Sequence, residues 1–200
     1  MIDTWTHITK TLGLCDSRES DLHPHAPEER AGLFHAADGG GTEWEYLNLL
    51  FALVVAMKPA HIIETGTANG YGTLALAAAV QANGMGRIVT VDTGECHPAR
   101  ELVERFGLTP VVRFVQEEAF THCATTDDTY DFGFFDSDVS CRHRECAVLM
   151  RRKRISGMAA FHDASPLRFA HGSNFEMTEW IERHPHFLLP LSRGFALLKI

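Results

Sequence analysis

The sequence offers no disulfide framework. Its five cysteines, Cys15, Cys96, Cys123, Cys141 and Cys146, are odd in number and contain no C-x-x-C pair. That spacing argues against a thiolate zinc site and reads as free thiols in a reducing cytoplasm. No apolar run approaches the ~20 residues of a membrane span without a turn signal, and the first residues lack the basic-then-apolar order of a secretion signal. The formal charge is -8, whereas a nucleic-acid surface calls for a basic face. The one basic run, Arg151-Arg152-Lys153-Arg154, falls at a predicted helix end, where cations suit the helix dipole. Two phosphate-binding signatures are missing as well. No Gly-Lys-Ser or Gly-Lys-Thr occurs after the glycine turn, and Gly66, Gly70 and Gly72 give G-x-x-x-G-x-G in place of G-x-G-x-x-G.

What is present is enough for one domain. Two hundred residues, 45% of them apolar, bury a single sizeable core. Residues 1–41 have weak periodicity and end in Asp38-Gly39-Gly40-Gly41, which reads as a helical lead-in, a candidate lid, and a hinge. Thr42 with Glu45 has capping-box spacing, followed by an apolar helix face through Trp44, Leu47, Leu50, Phe51 and Val54 that stops at Lys58-Pro59. Short apolar runs then alternate with helical segments. Strands are expected over 61–64, 87–91, 111–115, 130–135 and 157–161, with helices over 71–83, 98–106, 142–152 and 175–183 between and after them. Two closing strands, 187–189 and 195–199, flank a turn at Arg193-Gly194 that makes the last strand antiparallel. The pattern predicts an α/β, Rossmann-like, doubly wound fold: a seven-stranded, mostly parallel sheet with an antiparallel last strand, spanning 42–200.

The most informative stretch is Ala60–Ala79, A-H-I-I-E-T-G-T-A-N-G-Y-G-T-L-A-L-A-A-A. A buried strand runs through a glycine turn into an apolar helix, and the two glycines, Gly66 and Gly70, allow a sharp turn and close approach to a bound molecule. Glu64, at the strand's carboxyl end, would face the ligand and repel phosphate, so a cationic or hydroxyl-bearing nucleoside fits better. Four of the five parallel strands end in acidic residues or a His-Asp pair: Glu64, Asp92, Asp136 with Asp138, and His162 with Asp163. Gathered on one rim, they predict a polar site at the sheet's carboxyl edge. Asp92, 28 positions after Glu64, is placed to accept hydrogen bonds from both hydroxyls of a ribose.

The segments I-I-E-T-G-T-A-N-G-Y-G-T-L, R-I-V-T-V-D, Y-D-F-G-F-F-D-S-D and I-S-G-M-A-A-F-H-D occur in that order. With them the chain resembles the class I S-adenosylmethionine-dependent methyltransferases, and within them the small catechol, caffeoyl-CoA and macrocin O-methyltransferases. The resemblance implies methylation of a small-molecule hydroxyl. By it Glu64, Gly66, Thr67 and Gly70 hold the methionine end of the cofactor, Asp92 the ribose and Glu118-Ala119 the adenine side, Asp136 lies near the sulfonium, and Tyr71 is a further cofactor-binding residue. In metal-dependent members an acid after the fourth strand and a pair after the fifth bind a divalent cation. The corresponding residues are Asp136 and either His162-Asp163 or Asp163-Ala164. A histidine with two carboxylates suits manganese, iron or zinc better than magnesium, and a register on Ala164 loses an oxygen donor.

The lysine that catechol-type enzymes use as a base corresponds to Val139. Deprotonation then falls to the metal, to His162 or to His143, so Asp136, His162 and Asp163 are the expected catalytic and metal-binding set. Five further histidines near the two ends of the chain, His23, His25, His35, His184 and His186, have no ligand spacing and read as solvated loop residues. Trp5, Phe34, Trp44 and Tyr46 are available as apolar walls for an acceptor or as core. Two other readings remain open on the sequence: an iron-dependent hydroxylase on the same scaffold, and a cofactor-binding subunit without catalysis. A homodimer pairing through the leading helices is compatible with the sequence. The acceptor's identity, expected to be set by the amino-terminal segment and the loop 165–174, is not encoded in any decodable pattern.

Overall fold

The computed structural model describes residues 3–13, 35–36, 41–165, 175–190 and 193–200. The expected Asp38–Gly40 part of the hinge, His23, His25, Phe34 and most of the loop 165–174 lie outside those residues. A short helix, α1 (Asp3–Thr11), precedes α2 (Trp44–Met57). Strands and helices then alternate through β1 (His61–Thr65), α3 (Tyr71–Asn83), β2 (Arg87–Asp92), α4 (His97–Arg105) and β3 (Val112–Gln116). The second half runs through α5 (Ala119–Thr125), β4 (Tyr130–Phe135), α6 (Arg142–Arg151), β5 (Ile155–His162), α7 (Phe175–Glu182), β6 (His186–Leu189) and β7 (Phe195–Lys199).

The strands form one seven-stranded sheet in the order β3-β2-β1-β4-β5-β7-β6. The first five are parallel, and β7 runs antiparallel to both β5 and β6. The expected architecture is therefore present. From β1 the chain winds outward to β3 and returns to β4 on β1's other side. The carboxyl ends of β1 and β4 thus flank the switch point, where an open α/β sheet leaves a crevice for a ligand.

Alternation along the strands divides the interior in two. Ile62, Phe132 and Phe134 point to a core shared with Leu47, Leu50 and Val54 of α2 and Leu74 of α3. Their neighbours Ile63 and Phe135 join Phe161, Leu149 and Met177 on the other face. Because both faces are covered at the centre of the sheet, Ile62-Ile63 of β1 and Phe132–Phe135 of β4 read as unbroken apolar runs. Helix α3 is buried from Thr73 to Val80, and its alanines let it lie close between the sheet and α2.

Several local expectations change. Thr42 does not cap α2. The cap position is Glu43, without a side-chain capping bond, and the Thr42 hydroxyl is drawn away to Asp136 Oδ2 at 2.7 Å. Helix α5 was not anticipated; its seven residues, A-F-T-H-C-A-T, are too few to show a period. The lead-in helix α1 is core: Trp5 stacks on Trp44 and Phe51 and donates from Nε1 to Asn48 Oδ1 at 2.9 Å. The basic run is structural, as expected at a helix end. Arg152 donates to the carbonyls of Cys123 and Thr126, and Arg154 pairs with Asp127.

Candidate active site

Two adjoining cavities lie along the carboxyl edge of β1, β2 and β4. One, of about 280 Å³, is bounded by the glycine turn, Glu64, Thr67, Tyr71 and Asp136. The other, of about 320 Å³, is bounded by Asp92, Glu118, Ala119, Asp138 and Glu145. Gly66, Ala68, Asp136 and Ser137 border both. Every residue expected to hold a cofactor therefore lies on one continuous cleft.

The glycine turn owes its composition to the protein's own backbone. Gly66 has φ 85°, and a Cβ there would collide with the backbone of Asp136; at Gly70 the collision would be with Ala99 of α4. These glycines let the loop close against β4 and α4, which in turn shapes the cleft wall. Gly72 serves differently: an added Cβ would come within 2.5 Å of Glu64 Oε1, so its absence leaves room for a buried carboxyl.

That carboxyl is 1% exposed. Glu64 Oε2 accepts from Thr73 Oγ1 at 2.5 Å and Thr90 Oγ1 at 2.6 Å, and Thr90 meets Thr67 Oγ1 at 2.6 Å. Burial pushes its pKa up to about 8, against the two hydroxyl bonds that pull it down; Asp136 and Asp92 add repulsion. Asp92 uses Oδ2 to accept from Ala68 N at 3.0 Å and Oδ1 from Gly94 N at 2.9 Å, pinning the two loops that form the cleft's mouth. It does not cap α4, whose cap position is Cys96. Glu118 caps α5 through the amides of Phe120 and Thr121, and the Thr121 hydroxyl leads the contacts that hold its pKa low.

Asp136, His162 and Asp163 come together: one ligand atom from each lies within 4.8 Å of the others. His162 ends β5, and Asp163 follows it in the left-handed region at φ 59°, a conformation that asparagine and aspartate tolerate best among residues with side chains. Ala164 is core, with its amide on Gly194 O at 3.2 Å. Of the two registers considered, the His162-Asp163 one faces the cluster.

Four further residues, Thr42, Glu43, Arg142 and Arg193, complete it, and none was expected at the site. Arg142 Nη2 lies 3.0 Å from Asp136 Oδ1, and its Nη1 lies 2.9 Å from Asp163 Oδ2. Arg193 forks onto Asp163, Nε to Oδ1 at 2.7 Å and Nη2 to Oδ2 at 3.0 Å. His162 Nδ1 meets Asp136 Oδ1 at 3.0 Å, while its Nε2 faces Glu43 Oε2 at 2.5 Å. The backbone amide of Arg193 donates to Glu43 Oε1 at 3.0 Å, and Thr42 covers Asp136 Oδ2. Burial alone would raise the pKa of Asp136, but the charges of His162 and Arg142 outweigh it and hold this carboxyl well below the usual range.

Both nitrogens of His162 are thus directed at carboxylates, and the ring is fully buried. Neither is open to take a proton from an acceptor. His143 lies on α6 against Trp180, with Glu176 3.9 Å away, and borders neither cavity. The donor set does not fit a divalent cation, because each carboxylate oxygen of Asp136 and Asp163 already holds a guanidinium, imidazole or hydroxyl partner. The same occupancy denies an iron-dependent hydroxylase its open facial ligand set. Tyr46 packs on Phe195 and approaches the edge of the His162 ring.

A doubly wound sheet with a cleft at its switch point and a glycine turn after β1 defines an open, Rossmann-like α/β domain. Residues 63–164, half of the chain, match the family described as methyltransferase domain, and the chain belongs to that family. No curated protein matches the sequence. Among solved structures the chain is similar to the Podospora anserina methyltransferase PaMTH1 bound to SAH. The TM-score is 0.72 at 15% identity, covering 96% of this chain and 86% of that one. It is also similar to the O-methyltransferase TomG of Streptomyces achromogenes in complex with SAM, with TM-score 0.66, 17% identity and 81% and 83% covered. The Bacillus cereus O-methyltransferase in complex with SAH gives TM-score 0.62 at 19% identity, covering 98% and 89%.

Proposed function

We propose that this chain is an S-adenosylmethionine-dependent methyltransferase acting on a hydroxyl of a small molecule. The observation that carries the reading is the two-part cleft, with the buried acid Glu64 in one half and Asp92 at the rim of the other. Its donor set fits the cofactor's two ends. Glu64 and Asp136 border the half suited to a cationic amino acid and sulfonium, and Asp92 borders the half suited to a ribose, with Ala119 and Glu118 beyond it. The similar structures in complex with SAM or SAH support the same reading.

The bound cofactor supplies an electrophilic methyl carbon. The chain's part is alignment, which accounts for most of the rate in a displacement of this kind. Asp136 borders both cavities and is the residue we assign to the point of transfer. His162, Asp163 and the arginines act through it as positioning residues. Calorimetric titration with S-adenosylhomocysteine is expected to show one molecule bound per chain, with the same affinity when a chelator is present. A folded protein that gives no binding heat, and whose cleft gains no protection from hydrogen exchange, would refute the reading.

A further inference from the structure

We infer that the Asp136–His162–Asp163 group is closed to metal ions because Arg142 and Arg193 supply, as side chains, the positive charge a divalent cation would bring. The inference rests on the methyltransferase reading for its functional meaning, but on the ion-pair geometry for its support.

Arg142 and Arg193 set two fixed positive charges against the carboxylates of Asp136 and Asp163. A dication would have to settle beside two guanidinium groups that cannot deprotonate. Nor can the arginines simply swing away. Arg142 is fixed from behind by the carbonyls of Ser137, at 2.7 Å from Nε, and His162, at 2.6 Å from Nη1. Arg193 is fixed by the Gly41 carbonyl at 2.8 Å from Nη1. Arg142 is 4% exposed and Arg193 9%, so releasing either leaves buried carbonyl and carboxylate oxygens without their donors.

The consequence concerns the acceptor. With the His162 nitrogens and the carboxylate oxygens committed, the cluster has no open group to deprotonate or polarise an incoming hydroxyl. The new O–CH3 bond then draws on a lone pair of an acceptor that arrives as an anion, while the S–CH3 bond breaks and its electron pair stays on sulfur. Acidic hydroxyls, such as those of electron-poor phenols or enols, are the class this site takes.

The test is a manganese titration followed by electron paramagnetic resonance, on the full chain saturated with S-adenosylhomocysteine. In the wild type the free Mn(II) signal is expected to persist with no stoichiometric loss. Binding of one ion per chain that Asp163→Asn abolishes would overturn the inference. In Arg193→Met, which uncovers Asp163 Oδ1 and leaves Oδ2 to Arg142 alone, manganese affinity is expected to rise at least ten-fold; a folded variant with no gain would show that the arginine is not what closes the site. If that variant fails to fold, the wild-type titration alone decides. Calorimetry on the same samples separates the two claims, since absence of nucleoside binding counts against the methyltransferase reading whatever manganese does.

Discussion

Replacing Glu64 by glutamine isolates the energetic cost of a buried acid beneath the cleft. In the folded chain Glu64 keeps its proton up to about pH 8, whereas its ordinary value is 4.5. The unfolded chain therefore loses this proton first as pH rises. Stability from this group is greatest below the ordinary value, declines through the interval up to about 8, and is level beyond it. At about 1.4 kcal/mol for each pH unit between the two values, the wild type should lose about 4 kcal/mol between pH 5 and pH 9 that the variant does not. Glutamine can still bond Thr73 and Thr90, and any fixed packing offset cancels when the difference is followed against pH. Asp136 has the opposite sign, and its contribution fades only under more acidic conditions, outside this window. Urea unfolding of both proteins at five pH values reads the effect. A difference that changes by less than about 1 kcal/mol across that range would refute the reasoning about a neutral, buried Glu64.

Other outcomes follow from the same geometry. If a cationic amino group settles against Glu64, binding of S-adenosylhomocysteine at pH 7 should release a proton, seen as a binding heat that varies with the buffer's ionisation enthalpy. Asp92→Ala should weaken that binding by roughly 10- to 100-fold, the worth of hydrogen bonds to a charged group, while circular dichroism stays unchanged. Glu43→Ala leaves a buried His162 and the Arg193 amide without their partner, and is expected to destabilise the fold by about 3 kcal/mol in chemical denaturation. Cys141 and, more slowly, Cys96, whose thiol burial also pushes up, should react with a thiol reagent while the fully buried Cys123 and Cys146 stay inert. Cys141 borders the second cavity, so nucleoside should slow its reaction.

The strands were legible because burial on both faces leaves I-I and F-G-F-F without a polar residue, and the acidic ends that follow marked the rim. Glu64, Asp92 and Asp136 sit on the cleft because strand register carries a local pattern into space. The ion-pair partners could not be read that way. Glu43, Arg142 and Arg193 come from a helix cap, a helix start and a hairpin separated by about a hundred and fifty positions at the extremes, and each alone looks like an ordinary surface charge. Thr42 and Glu45 showed how a sound local rule loses: Asp136 competes for the hydroxyl that would otherwise cap α2. The glycines were rightly singled out, but the neighbours that demand them are the backbone of Asp136 and the α4 residue Ala99, contacts invisible along the chain.

Arg193 reaches the buried Asp163 from the bend between the two terminal strands, at the antiparallel end of the sheet. Such a bend usually tolerates insertion and trimming, being far along the chain and at the margin of the fold. In this protein the position of Arg193 is tied to the buried ion pairs, because moving it by a single residue would withdraw a guanidinium from Asp163. Variation in that hairpin should therefore register in melting temperature as well as in turnover.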